Sequence, residues 1–247
     1  MNPTSPEPLG GGEPQDATGP AQRGGPSLAE DLLLLLFQPE SGTIAGENTL
    51  FYTLAGAVLS DLALAGQVAS DGAHASAVRA EALGEVPPSD EIHRSAWTYV
   101  AKKPRSVQTV LAAIGPQLRA PLLDRLIARG DVERVRKKAF GLFNTTALVE
   151  GATGRRARLL ESVRAVLVDG AEPTARIGAL AALLSASGTL PQFDPQIPWT
   201  NPVITRAKQL EQGHWGAGAA AEAVTRTVTA VIANNIIVAT TAQPPSQ

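Results

Sequence analysis

Cysteine is absent from this chain of 247 residues. Its absence excludes disulfides, thiolate nucleophiles and cysteine-ligated zinc or iron–sulfur centres. Aromatic residues are scarce, at 4%, so the position of each one carries information. No uninterrupted apolar run exceeds the six residues Leu32 to Phe37, against the roughly 20 a helix needs to span a bilayer. The first residues lack the basic-then-apolar pattern of a secretory signal. The expectation is a soluble cytoplasmic protein that meets a membrane only from its surface.

Catalytic signatures are missing too. There is no HExxH, no G-x-S-x-G elbow and no GxxxxGK[ST] phosphate loop. His74, His93 and His214 stand apart from one another and from any metal-ligand spacing. The stretch "GHWGAGAAAEA" follows no predicted strand, so it reads as the small-residue start of a packed helix. Glu30 and Asp31 open a helix, where they complement its dipole. Asp61, inside the apolar "VLSDLALAG", is a semi-buried acid suited to pairing with an arginine. We therefore expect no catalytic residue, no cofactor and no metal, and a binding protein rather than an enzyme.

Hydrophobic residues reach 44% and charged residues 18%, enough for a substantial core. Residues 1–26 hold six Pro and six Gly with almost nothing apolar, which predicts a disordered tail. Order is expected from Ser27, whose spacing to Glu30 is that of a capping box. "LAEDLLLLLF" then reads as a buried helix and "PESGTIAGEN" as a loop. Leu50, Leu54, Val58 and Leu62, flanked by Phe51, Ala55 and Leu59, form a stripe wide enough for a core helix over 50–64, stopped at Gly66. A short hairpin turning at Asp71-Gly72 follows. Ser89 is the expected cap of the next helix, with Trp97 and Val100 on one face. Helices are predicted near 106–113, 117–129, 154–168, 203–211 and 217–240, with another entered at Pro173 and closed at Gly188. "TLPQFDPQIPWTNP" is a proline-rich loop. The fold class is thus mainly α: a single-domain helical bundle over 27–242 with one or two small β-hairpins.

The net charge of −2 conceals an asymmetry. Residues 102–164 hold 14 Lys and Arg against 5 Asp and Glu, a net of +9; the remainder holds 7 against 18, a net of −11. The positive groups fall in three sets. Arg119, Arg125 and Arg129 share one helix and are candidates for a lipid head group. Arg134, Arg136, Lys137 and Lys138 lead into a predicted hairpin whose tip carries Phe140, Leu142 and Phe143. Arg155, Arg156, Arg158 and Arg164 form a secondary patch on the following helix. A basic strand ending in exposed rings satisfies the two-signal requirement of reversible membrane attachment. Two other readings of the same segment stay open. Helix, strand, turn and strand also describe a winged helix, although Phe at the wing tip and a Leu/Ile-rich recognition helix make nucleic acid an unfavoured partner. A lesser alternative makes the tip a dimer contact in a homo-oligomeric scaffold.

Taken in order, "LAEDLLLLLF", "LSDLALAGQV", "LLDRLIARGDV", "FGLFNTT" and "LAALLSASGTL" resemble the Golgi phosphoprotein 3 family, from Leu28 to about Asn235. The Ala-, Gly- and Arg-rich composition suits a bacterial relative. The resemblance implies a mostly helical domain with an exposed apolar hairpin. It also implies a non-enzymatic, peripherally membrane-associated adaptor with client membrane proteins, binding phosphatidylinositol 4-phosphate or another anionic or inositol phospholipid. Phe140, Leu142 and Phe143 take the membrane-contact role by that resemblance. Of the family's four head-group positions, Arg119 alone keeps its arginine; Gly46 and Ala55 occupy two others, and Pro116 or a gap the fourth.

Overall fold

The computed structural model describes residues 25–70, 79–139, 143–213, 215 and 218–241. The first helix, α1 (Leu28–Leu36), begins where the Ser27 hydroxyl accepts the Glu30 N–H at 3.1 Å. Half of the expected capping box is present. Glu30 does not reach back to the Ser27 backbone; its carboxylate receives the Ser27 hydroxyl at 3.4 Å and otherwise faces arginines. Every residue of α1 is buried, as an apolar-all-round helix requires. Leu28 and the five leucines Leu32 to Leu36 are each at most 1% exposed. Each contributes roughly 1.5–3 kcal/mol of transfer free energy.

The segment expected as a loop after α1 contains a two-residue ladder, β1 (Phe37–Gln38) against β2 (Thr43–Ile44). Gly42 at φ 71° makes the turn possible, and its Cα side lies against the Leu148 carbonyl, where a Cβ would sit 2.8 Å away. The second core helix, α2 (Leu50–Leu64), has the predicted bounds and ends at Gly66, φ 68°. It packs on α1 and on the last helix, α9 (Ala219–Thr241). Gly56 lets α2 and α9 approach closely, since a Cβ there would meet Val228 Cγ1 at 2.5 Å.

Strands β3 (Val68–Ser70) and β4 (Arg79–Ala82) form the predicted hairpin; its Asp71-Gly72 turn lies outside the described residues. β5 (Arg105–Ser106) adds a third strand to it, joined through main-chain pairing that leaves no period-2 signal in so short a segment. Helix α3 (Glu91–Ala101) is capped by Asp90, not Ser89: the Asp90 carboxylate accepts the His93 N–H at 3.0 Å. Helices α4 (Val107–Ile114) and α5 (Arg119–Ala128) follow. A long hairpin of β6 (Val132–Ala139) and β7 (Phe143–Glu150) then leads to α6 (Arg155–Leu167). Thr174, not Pro173, starts α7 (Ala175–Ala186), because its hydroxyl accepts the Ile177 N–H at 3.3 Å. An ordered proline-rich turn containing a 3-10 segment precedes α8 (Asn201–Glu211).

The architecture is mainly α with small antiparallel strand groups, as expected. Helices α1, α2, α7 and α9 supply the centre of one continuous apolar cluster. The β6–β7 hairpin joins it through Val132, fully buried, and Leu148, half-buried.

Candidate functional site

The hairpin is eight paired residues long, from Val132↔Glu150 to Ala139↔Phe143, or about 26 Å of extended strand. Its root is anchored in the core through Val132. Arg134 and Arg136, two apart and therefore on one face, are exposed. Opposite Arg134, Arg136, Lys137 and Lys138 the register places Leu148, Thr146, Thr145 and Asn144. No acid faces these four cations across the ladder. Arg134 pairs with Asp124 of α5 at 2.9 Å, with both side chains more than half exposed. Phe140 and Leu142 lie outside the described residues, as do the side chains of Lys137, Lys138 and Phe143.

Below the root lies a different arrangement. α1 enters the protein with two acids in its first turn, and burial forbids leaving them unpaired. Glu30, at 1% side-chain exposure, accepts Arg129 Nε at 2.9 Å and Arg125 Nη1 at 3.4 Å. These two arginines sit one turn apart on α5, which puts both on one face. Arg125 also reaches Asp90 at 2.6 Å. Asp90 holds His93 Nδ1 at 2.8 Å, and His93 Nε2 lies 3.2 Å from Asp61. Asp61 further accepts the Leu28 N–H at 2.6 Å, so it secures the start of α1. Arg176 of α7 links Asp61, at 3.4 Å, to Asp31. Arg155, the first residue of α6, bridges Asp31 to Asp131. The result is one chain of alternating charge: Arg129, Glu30, Arg125, Asp90, His93, Asp61, Arg176, Asp31, Arg155, Asp131. Much of it lines a cleft of about 720 Å³ beside Ser27 and Ser89.

Burial opposes charge on the His93 ring, but the Asp61 and Asp90 carboxylates outweigh it and hold its pKa at about 9. Burial also opposes charge on Asp90; its hydrogen bonds from His93 and Arg125 outweigh that and hold its carboxyl well below the usual range. Arg125 is likewise raised, with Asp90 and Glu30 overcoming desolvation. The sign of the His93 effect is definite. Its folded pKa lies above the ordinary 6.5. Its contribution is complete below that value and is lost as pH rises through 9. Asp90 acts oppositely, contributing above its ordinary 3.8 and losing that contribution in acid. We expect unfolding free energy to fall by about 2–3 kcal/mol between pH 6.5 and 10. His93→Gln is expected to flatten this slope in denaturant titrations; an unchanged slope would assign it to another group.

The sequence-predicted residues therefore divide. Arg125 and Arg129 come together, but on buried acids. Glu30 and Asp31 fall in the first turn of α1, as expected for acids at a helix start, and there they are also buried ion-pair partners. Arg119 stands apart, with Nε on Glu47 at 2.7 Å near the surface. Arg155 turns inward, Arg156 donates to the Phe37 carbonyl at 3.0 Å, and Arg158 donates to the Thr153 carbonyl at 3.0 Å. Asp90, His93 and Arg176 were not singled out as a group. Their one sequence signal was that acids inside apolar helices, Asp31 and Asp61, need countercharges from elsewhere in the chain.

Fold and site together define a helical protein built on a buried ion-pair chain, with a cationic hairpin at its edge. Among the described residues no helix is long and apolar enough to cross a membrane. The chain belongs to the Golgi phosphoprotein 3 family, whose model matches residues 28–227. No curated protein matches the sequence. At the positions aligned above with the family's head-group pocket, Ala55 is fully buried. Gly46 has φ 68°, and a Cβ there would approach Thr189 Cγ2 to 3.2 Å.

Proposed function

We propose that this protein is a non-enzymatic adaptor that docks reversibly on anionic lipid surfaces through the β6–β7 hairpin. The observation that carries the reading is the register: four consecutive-strand cations stand opposite neutral residues, so their field is not cancelled across the ladder. Each cation near an anionic bilayer contributes about 1 kcal/mol. A partly inserted Phe140/Leu142/Phe143 tip supplies the second signal, at up to roughly 1.5–3 kcal/mol per fully buried side chain. Family membership supports the same role.

The lipid selectivity we propose is for surface charge rather than for a phosphatidylinositol 4-phosphate head group. Arg119 has Glu47 beside it, and Gly46 and Ala55 bring neither a ring nor a guanidinium to the pocket. Charge-assisted phosphate recognition needs several such groups converging.

Co-sedimentation with phosphatidylserine-containing and purely phosphatidylcholine vesicles tests the reading. The protein is expected to pellet with the first and stay in solution with the second; equal pelleting would overturn it. Phe140→Ala with Phe143→Ala is expected to reduce pelleting at unchanged melting temperature. A large fall in melting temperature would instead make those rings part of the core. Salt-sensitive retardation of duplex DNA without vesicle binding would favour the winged-helix alternative.

A further inference from the structure

A second cleft, of about 470 Å³, lies beside the β1–β2 ladder. That volume is within the range of small-molecule sites. Its floor is apolar: Leu35, Leu36 and Phe193 are each at most 5% exposed. Arg156, the second residue of α6, enters from the side. Its Nε donates to the Phe37 carbonyl, and its two terminal nitrogens make no hydrogen bond or ion pair among the described residues.

This guanidinium differs from its neighbours. Arg125, Arg129, Arg155 and Arg176 are also partly or largely buried, and each has a carboxylate within 3.4 Å. Arg156 is half-buried with none within 4 Å, and burial pushes its pKa down while Glu150 compensates only in part. A desolvated cation without a counter-ion is unfavourable, and an incoming anion relieves it through two parallel N–H···O bonds. Across the rim Gln38 Nε2 donates to Gln192 Oε1 at 2.6 Å, which leaves the Gln192 amide N–H groups available as further donors.

The rim also carries two acids. Asp194 accepts the Trp199 N–H at 3.2 Å, and Glu40 is exposed. Their charges disfavour a polyanion such as an inositol phosphate more than an anion of a single charge. None of the positions aligned with the family's head-group pocket lines this cleft.

We propose that this cleft binds a small monocarboxylate with a short apolar body, its carboxylate on the terminal nitrogens of Arg156 and its body on Leu35, Leu36 and Phe193. No residue of the β6–β7 hairpin lines the site.

Isothermal titration of the full chain with hexanoate, hexanamide and hexyl phosphate tests it. Hexanoate is expected to bind saturably in the millimolar range, hexanamide not at all, and hexyl phosphate more weakly than hexanoate. Arg156→Lys, which keeps the charge but not the fork, is expected to weaken hexanoate binding by about tenfold. Arg156→Met is expected to abolish it, with the folded state confirmed by circular dichroism. The proposal is overturned by absence of hexanoate binding up to about 20 mM. Equal binding of hexanamide, tighter binding of hexyl phosphate, or unchanged binding by Arg156→Met would each overturn it as well.

Discussion

Replacing Arg134, Arg136, Lys137 and Lys138 together by serine is expected to weaken partition onto phosphatidylserine-containing vesicles by about two to three orders of magnitude. Four cations at about 1 kcal/mol each give roughly 4 kcal/mol, and each 1.4 kcal/mol is about a factor of ten. Arg134 counts for less than the others, because Asp124 already lies 2.9 Å from it. Stability should barely change. That exposed pair contributes about 0–1 kcal/mol, and serine preserves the β6 main-chain ladder. The effect is electrostatic, so wild type and variant should converge as salt is raised and the screening length shrinks to about 3 Å at 1 M. A vesicle titration at low and high salt measures both. An unchanged partition at low salt would refute a role for these cations, and a difference that survives 1 M salt would transfer the effect to altered hairpin packing.

Asp31→Ala is expected to destabilise the fold by about 3–5 kcal/mol. Asp31 is at 5% side-chain exposure and holds Arg155 and Arg176 at once. Alanine removes one carboxylate partner from each guanidinium. Arg155 retains Asp131, and Arg176 retains Asp61 at 3.4 Å and the Pro26 carbonyl at 2.7 Å. The loss is therefore a weakening of the chain at its centre rather than its dispersal. It joins α1, α6 and α7, so the transition should stay cooperative while its midpoint falls. Denaturant unfolding at pH 7 is the measurement. A loss below about 1 kcal/mol would mean that solvent replaces the carboxylate readily and that the site is wetter than its burial implies.

The helices were largely legible because their signals are local. The stripe through Leu50, Leu54, Val58 and Leu62 and the stop at Gly66 delimit α2, and Ser27 starts α1. Where two capping residues compete, locality is not enough. Ser89 and Asp90 are both competent caps, and Asp90 prevails because Arg125 and His93 also need its carboxylate. Pro173 could open a helix, yet Thr174 supplies the acceptor that the Ile177 N–H requires. The two-residue strands β1, β2 and β5 are too short to show alternation, and they exist through pairing with distant main chain.

The sequence alone determined the helical class, the family, the position of the cationic hairpin and the concentration of positive charge in its middle third. All of these depend on composition, on residues within a turn or two of one another or, for the family, on the order of short motifs along the chain. Only the tertiary structure decided which cations face solvent and which are neutralised inside. Arg125 and Arg129 read like Arg134 and Arg136 in the sequence. Yet the first pair meets Glu30, which lies 95 and 99 residues away along the chain, and the second pair remains exposed on β6. Coulomb interaction depends on distance and on the surrounding dielectric, and folding sets both.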